Sequence, residues 1–203
     1  LGTDLGYSRL DYRGGESRSE PLIRLDAAWN PNPSHSFGIA VASQFSDTAT
    51  DALSGIQADA TLPESVLTGD AVVNASPYEV RSLDLSYAYT STRTTFSLTP
   101  YLQQRDYVDS DEFDQESQGV RADLNWLVRR SLSVGTYATY ESIDFTQLDR
   151  TDDTTRLGAE LRYQWGPRWS SALQWQRYRR ESTAVGQTVS QNIVYLSISY
   201  SNR

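Results

Sequence analysis

Cysteine, methionine and lysine are all absent from the 203 residues, so every one of the 18 cationic side chains is arginine; there is a single histidine, His35. Without cysteine, disulfides, thiol catalysis and thiolate metal sites are excluded together. A hydrolase built on a histidine base has one candidate here, and it would need a nucleophile and an orienting carboxylate beside it. No run approaches the ~18 consecutive apolar residues of a membrane-spanning helix, and mean hydropathy is −0.56. Neither fact argues against spanning strands, which hide half their residues from lipid. The net charge of −8 and the lack of a basic stripe exclude nucleic acid as an expected partner. Glycine-rich phosphate loops are missing as well. No composition boundary divides the chain, so one domain over residues 1–203 is expected. A start at Leu1-Gly2-Thr3 is expected of a processed protein or of a piece of a longer one.

What the chain has is a period of two. Leu157, Ala159, Leu161, Tyr163 and Trp165 alternate with Arg156, Gly158, Glu160, Arg162 and Gln164; after Gly166-Pro167-Arg168 the pattern resumes with Trp169, Ser171, Leu173 and Trp175 against Ser170, Ala172, Gln174 and Gln176. This reads as an antiparallel hairpin. Its apolar face ends in tryptophans beside the turn, and Trp and Tyr collect where hydrocarbon meets headgroup. Each arm supplies roughly the 9–11 residues that a transmembrane β-strand needs.

Similar alternation recurs along the chain, with apolar faces at Ile23 to Trp29, Phe37 to Phe45, Leu83 to Tyr89, Phe96 to Leu102, Val120 to Trp126, Leu132 to Tyr140 and Val194 to Tyr200. The segment Leu1 to Arg13, less clear in parity, completes about ten strands. A turn is expected at 13–16; after it, tight turns at 30–34, 90–93, 129–131 and 166–168 alternate with longer polar connections at 46–77, 106–116, 146–153 and 180–191. The longest, 46–77, is expected as an extracellular loop with a short helix near 51–60. Pro100 cannot donate to a ladder, so a bulge or local unpairing is expected there. The fold class is therefore an all-β, antiparallel, up-and-down transmembrane barrel of the bacterial outer membrane, with both termini periplasmic. Its partners are then the lipid bilayer and the outer-membrane assembly machinery.

Parity also assigns roles. Arg24, Asp26, Asp84, Tyr101, Arg121, Asp123, Tyr137, Glu141, Arg156, Glu160, Arg162, Gln174 and Tyr195 fall on the lumen side, while Trp29, Tyr89, Trp126, Trp165 and Trp169 mark the membrane interface. Asp123 with Arg121, Glu160 with Arg156 and Arg162, and Asp26 with Arg24 share a face and read as a ladder of ion pairs, because charges in a narrow lumen need partners. A charge constriction that selects solute is the functional alternative. The acidic run Asp106 to Glu116 offers carboxylates to Ca²⁺ but lacks EF-hand spacing, so a solvated loop is expected. No catalytic set, metal site or cofactor is expected, and the protein is read as non-enzymatic.

The phrases SLDLSYAYTSTRTTFSLTPYLQQRDY, GVRADLNWLVRRSLSVGTYATYESIDF, RLGAELRYQWGPRWSSALQWQRYRR and VYLSISY, from about Ser82 to the C-terminus, resemble the outer-membrane β-barrel porins associated with bacterial exopolysaccharide and exosortase (PEP-CTERM) systems. The resemblance implies a longer parent barrel, of which this chain is the C-terminal part, and a role in polysaccharide export beside other secretion components. One departure is that Tyr200 is followed by Ser201-Asn202-Arg203, where such barrels end on an aromatic residue. The expected function is a passive channel or export component. The rivals are a non-conducting structural or adhesive barrel that presents its loops to a partner, and a soluble β-sandwich or lipocalin-like binder.

Overall fold

The computed structural model describes residues 1–10, 18–46, 77–108 and 111–201. Among these, the chain forms ten strands: β1 (Gly2–Leu10), β2 (Arg18–Asn32), β3 (His35–Ser46), β4 (Tyr78–Thr90), β5 (Thr94–Tyr107), β6 (Gln115–Arg129), β7 (Leu132–Phe145), β8 (Arg150–Gln164), β9 (Trp169–Ser182) and β10 (Val189–Tyr200). A single 3-10 turn, Asp111–Phe113, lies between β5 and β6. The strands follow one another in a single sheet, each antiparallel to the next, in the order β1 to β10. This is the up-and-down arrangement read from the sequence. The sheet is open, since β1 pairs only with β2 and β10 only with β9.

Short reversals join the strands at one end of the sheet. Ser91 shapes one of them, its hydroxyl accepting from the amides of Arg93 (3.4 Å) and Thr94 (3.1 Å). At the next hairpin but one, the Trp165 amide donates to the Trp169 carbonyl at 3.0 Å. The break expected over 30–34 is shorter than the prolines suggest: β2 runs on to Asn32 and only Pro33 and Ser34 turn. A register shift between Trp29 and Asn32 absorbs Pro31, which has no amide to give. At Pro100 the register holds, but the β4–β5 ladder loses the pairs between Asp84–Tyr101 and Tyr87–Leu98. Local unpairing, not a bulge, is what the proline causes.

At the opposite end the strands run further than the sequence suggests. Polar segments expected at 106–116, 146–153 and 180–191 shrink to the connections 108–114, 146–149 and 183–188, because β5 reaches Tyr107, β8 begins at Arg150, β9 reaches Ser182 and β10 begins at Val189. Strands β2, β6 and β8 are 15 residues long, beyond the ~9–11 that cross a bilayer. In β6 and β8 the excess, from Gln115 and from Arg150, is polar at both parities, so pairing continues there without any alternation of hydropathy. The turn expected at 13–16 and, but for its end residues, the 46–77 loop with its helix lie outside the described residues.

The apolar face stays uncovered. Leu85, Leu161, Leu173, Leu196 and Ile198 are 43–71% exposed, and in register Leu124 lies between Phe96 and Thr136, and Leu161 between Val134 and Leu173. Among the described residues only Tyr78, Val80, Tyr107, Phe145 and Ala172 are buried apolar side chains. A soluble domain of this size buries most of its apolar surface, and contiguous bare patches mark a contact with protein or lipid.

Candidate functional site

The register assigns every lumen-side candidate to one face of the sheet. Arg24 and Asp26 (β2), Asp84 (β4), Tyr101 (β5), Arg121 and Asp123 (β6), Tyr137 and Glu141 (β7), Arg156, Glu160 and Arg162 (β8), Gln174 (β9) and Tyr195 (β10) all stand opposite the Leu124–Leu161–Leu173 side. Some of them line a cavity of about 320 Å³ formed by Arg121, Asp123, Tyr137, Glu160, Arg162, Gln174 and neighbours.

Ion pairs on this face form along a strand, between residues two apart. Arg121 Nε meets Asp123 Oδ2 at 3.0 Å, and Arg162 Nη2 meets Glu160 Oε1 at 2.7 Å. Two other expected pairings are absent. Glu160 takes its second bond from Gln174 at 2.6 Å, not from Arg156; four residues of strand span about 13 Å, and Arg156 stands off the sheet over Tyr178 instead of lying along its strand. Arg24 donates to Gln44 at 3.2 Å instead of to Asp26. Half-exposed pairs of this kind contribute only ~0–1 kcal/mol to stability. Their effect is local neutralisation, which leaves a polar wall of mixed sign.

Glycines set how the larger groups lie on that wall. Tyr101, Gly119 and Glu141 occupy one cross-strand row. The Tyr101 ring lies across Gly119 so closely that a Cβ there would stand 2.5 Å from the ring, and its hydroxyl reaches over to donate to Glu141 Oε1 at 2.7 Å. Tyr137 lies on Gly158 still more tightly. Sequence reasoning missed these contacts, because they depend on register; the legible signal was a glycine at a lumen-side position opposite a tyrosine.

Beyond the apolar band, the same face carries residues that were not anticipated. Tyr107 packs on Tyr78 and Phe113, with Arg105 over the Tyr78 ring. Asp114 accepts from the Tyr107 amide at 2.7 Å, and on the opposite face Asp106 accepts from Gln104 at 3.0 Å, so the acidic segment is knitted into its own strands. Near the start of β8, Asp152 accepts from Arg150 Nε at 2.9 Å and from the Ser182 hydroxyl. Burial alone would raise this carboxyl, but the Arg150 and Ser182 hydrogen bonds and the charges of Arg150 and Arg180 hold it below the ordinary carboxylate range.

The aromatic candidates Trp29, Tyr89, Trp126, Trp165 and Trp169 stand at or near the short-turn ends of their strands, and the four tryptophans are 48–70% exposed. Trp29 stacks on Phe37, and Trp169 lies 4.8 Å from Tyr200. His35 sits at this end as well, its Nδ1 hydrogen-bonded to the Tyr87 hydroxyl at 2.9 Å and its ring against Tyr89.

No protein-family model matches the chain, and neither does any curated protein. Among solved structures, OmpT of Vibrio cholerae, an outer membrane protein folded in vitro, superposes with a TM-score of 0.58 at 9% identity over 88% of this chain and 55% of that one. The fold is that of an outer-membrane β-barrel. OmpT expressed in the outer membrane gives 0.54 at 10% identity, again over 88% and 55%. This chain thus spans about half the length of the OmpT chains it matches. TodX, a toluene transporter of Pseudomonas putida, reaches only 0.36 at 12% identity over 97% and 67%, too low to carry an argument.

The fold carries with it a lipid bilayer environment, while the exopolysaccharide-associated porins find no matching family model. One sequence expectation is corrected. The reading of the protein as non-enzymatic does not stand: the similarity to OmpT at 9–10% identity is one of fold, and a fold leaves enzymatic status open.

Proposed function

We propose that the chain forms a single barrel domain whose polar face lines a water-filled lumen, acting as a passive outer-membrane channel for polar solutes. The observation that carries this reading is the division of the sheet into a bare apolar face and a face of neutralised charges, tyrosines and amides. Lumen faces of channels have that character. The residues from Arg24 to Tyr195 that share this face are the wall, and Trp29, Tyr89, Trp126, Trp165 and Trp169 the periplasmic interfacial belt. An even number of strands puts both termini on that side, with the 46–77 segment outside the cell. The free edges of β1 and β10, together with the greater length of the OmpT chains, favour a wider barrel in which these ten strands are one part. Such a lumen has room for solutes, and a polysaccharide is the candidate cargo that the sequence resemblance suggests.

The test is single-channel recording in planar bilayers with the full-length protein purified in detergent, after heat-modifiable migration has established that it is folded. A steady open current is expected. A folded barrel that stays silent would overturn the channel and favour a barrel that presents its loops to a partner, since narrow barrels fill their lumens with side chains.

A further inference from the structure

On the polar face, Arg24, Arg105, Arg121, Arg150, Arg162 and Arg180 each donate a hydrogen bond or form an ion pair. Arg156 does neither. Its Nε is buried without a hydrogen-bond partner, and its guanidinium lies 5.6 Å over the ring of Tyr178, its cross-strand neighbour on β9. Glu141, which pairs with Thr154 two residues away, already accepts the Tyr101 hydroxyl. A buried donor without a partner costs free energy unless something fills its place. A guanidinium held on an aromatic face has a fixed plane, and its fork of donors matches two oxygens of one anion. Arg180, two residues beyond Tyr178 on the same face, acts on the Asp152 carboxylate, which leaves Arg156 as the guanidinium without an acidic partner here, among the described residues.

We infer that Arg156, seated on Tyr178, is an oxyanion-recognition point of the polar face. It takes the carboxylate, sulfate or phosphate group of a solute through paired N–H donors. The inference rests on the polar face being open to water, as the proposed channel requires. Selection then acts on an anionic group of the solute, and the paired arginines around it contribute little.

The full chain in detergent micelles is titrated calorimetrically with sodium sulfate and, separately, with sodium lactate, at constant ionic strength. Wild type is compared with R156A, R156K and R179A. Arg179 stands on the opposite face, paired with Glu181, so R179A removes the same charge away from the site. Saturable binding of at least one anion is expected in wild type and R179A, and weakening by about tenfold or more in R156A. R156K should fall between, because an ammonium cannot present the fork. If R156A does not fold, R156K and Y178L carry the comparison. Absence of saturable binding to wild type, or equal affinity in the Arg156 variants, overturns the site. Current recordings are read separately: a protein that binds through Arg156 but carries no current refutes the channel alone. A conducting protein whose anion affinity ignores Arg156 refutes the site alone.

Discussion

Gly158→Val is expected to destabilise the barrel by about 1–3 kcal/mol, the range for overpacking a close contact, or to block its folding altogether. Tyr137 and Gly158 are directly paired across β7 and β8, and the Tyr137 ring occupies the space a side chain on residue 158 would need. A Cβ on residue 158 would stand well inside contact distance of the Tyr137 ring, so the ring must leave its seat on β8 for any side chain to fit. Gly119→Val should behave similarly and also displace Tyr101 from Glu141. Gly166 is the control: nothing lies within 4 Å of a Cβ there, so Gly166→Ala should fall within about 0.5 kcal/mol of wild type. Urea midpoints in lipid vesicles would measure the difference. If Gly158→Val unfolds at the same midpoint as Gly166→Ala, the interlocked tyrosines do not hold the wall; partial recovery in Gly158→Val with Tyr137→Ala would establish that they do.

Leu124→Arg should cost about 2–4 kcal/mol, the range for an arginine facing lipid near the bilayer midplane. Leu124 lies in the apolar band of β6 between Phe96 and Thr136 and is 37% exposed. The neighbouring Asn125→Arg, on the polar face, should cost far less. Were the exposed leucines surrounded by water, as in a soluble sandwich with an uncovered face, the two substitutions would cost about the same. Equal costs in the same vesicle unfolding assay would therefore contradict the membrane assignment of the two faces.

Parity made the faces legible before any register was known. Leu124 against Asp123, or Leu161 against Glu160, declares a side by hydropathy alone, and the tryptophans beside 129–131 and 166–168 declare an end. Strand ends were not legible where both faces are polar: Asp152 to Thr155 and Arg179 to Ser182 pair across β8 and β9, yet no alternation separates them from loop. Pairing partners were not legible either. Same-face parity put Arg156 with Glu160, but Glu160 is taken by Arg162, two residues along its own strand, and by Gln174, its cross-strand partner. The seats of Tyr101 on Gly119 and Tyr137 on Gly158 required the register, which tight-turn lengths fix only once the turns are located to the residue.

The central claim is that one face of this sheet meets lipid and the other water. The natural absence of cysteine makes it directly testable, since a cysteine placed at each position from Val120 to Asn125 is the only thiol in the protein. In proteoliposomes, a charged, membrane-impermeant thiol reagent should modify positions 121, 123 and 125 and spare 120, 122 and 124. Equal modification of both sets would contradict the claim.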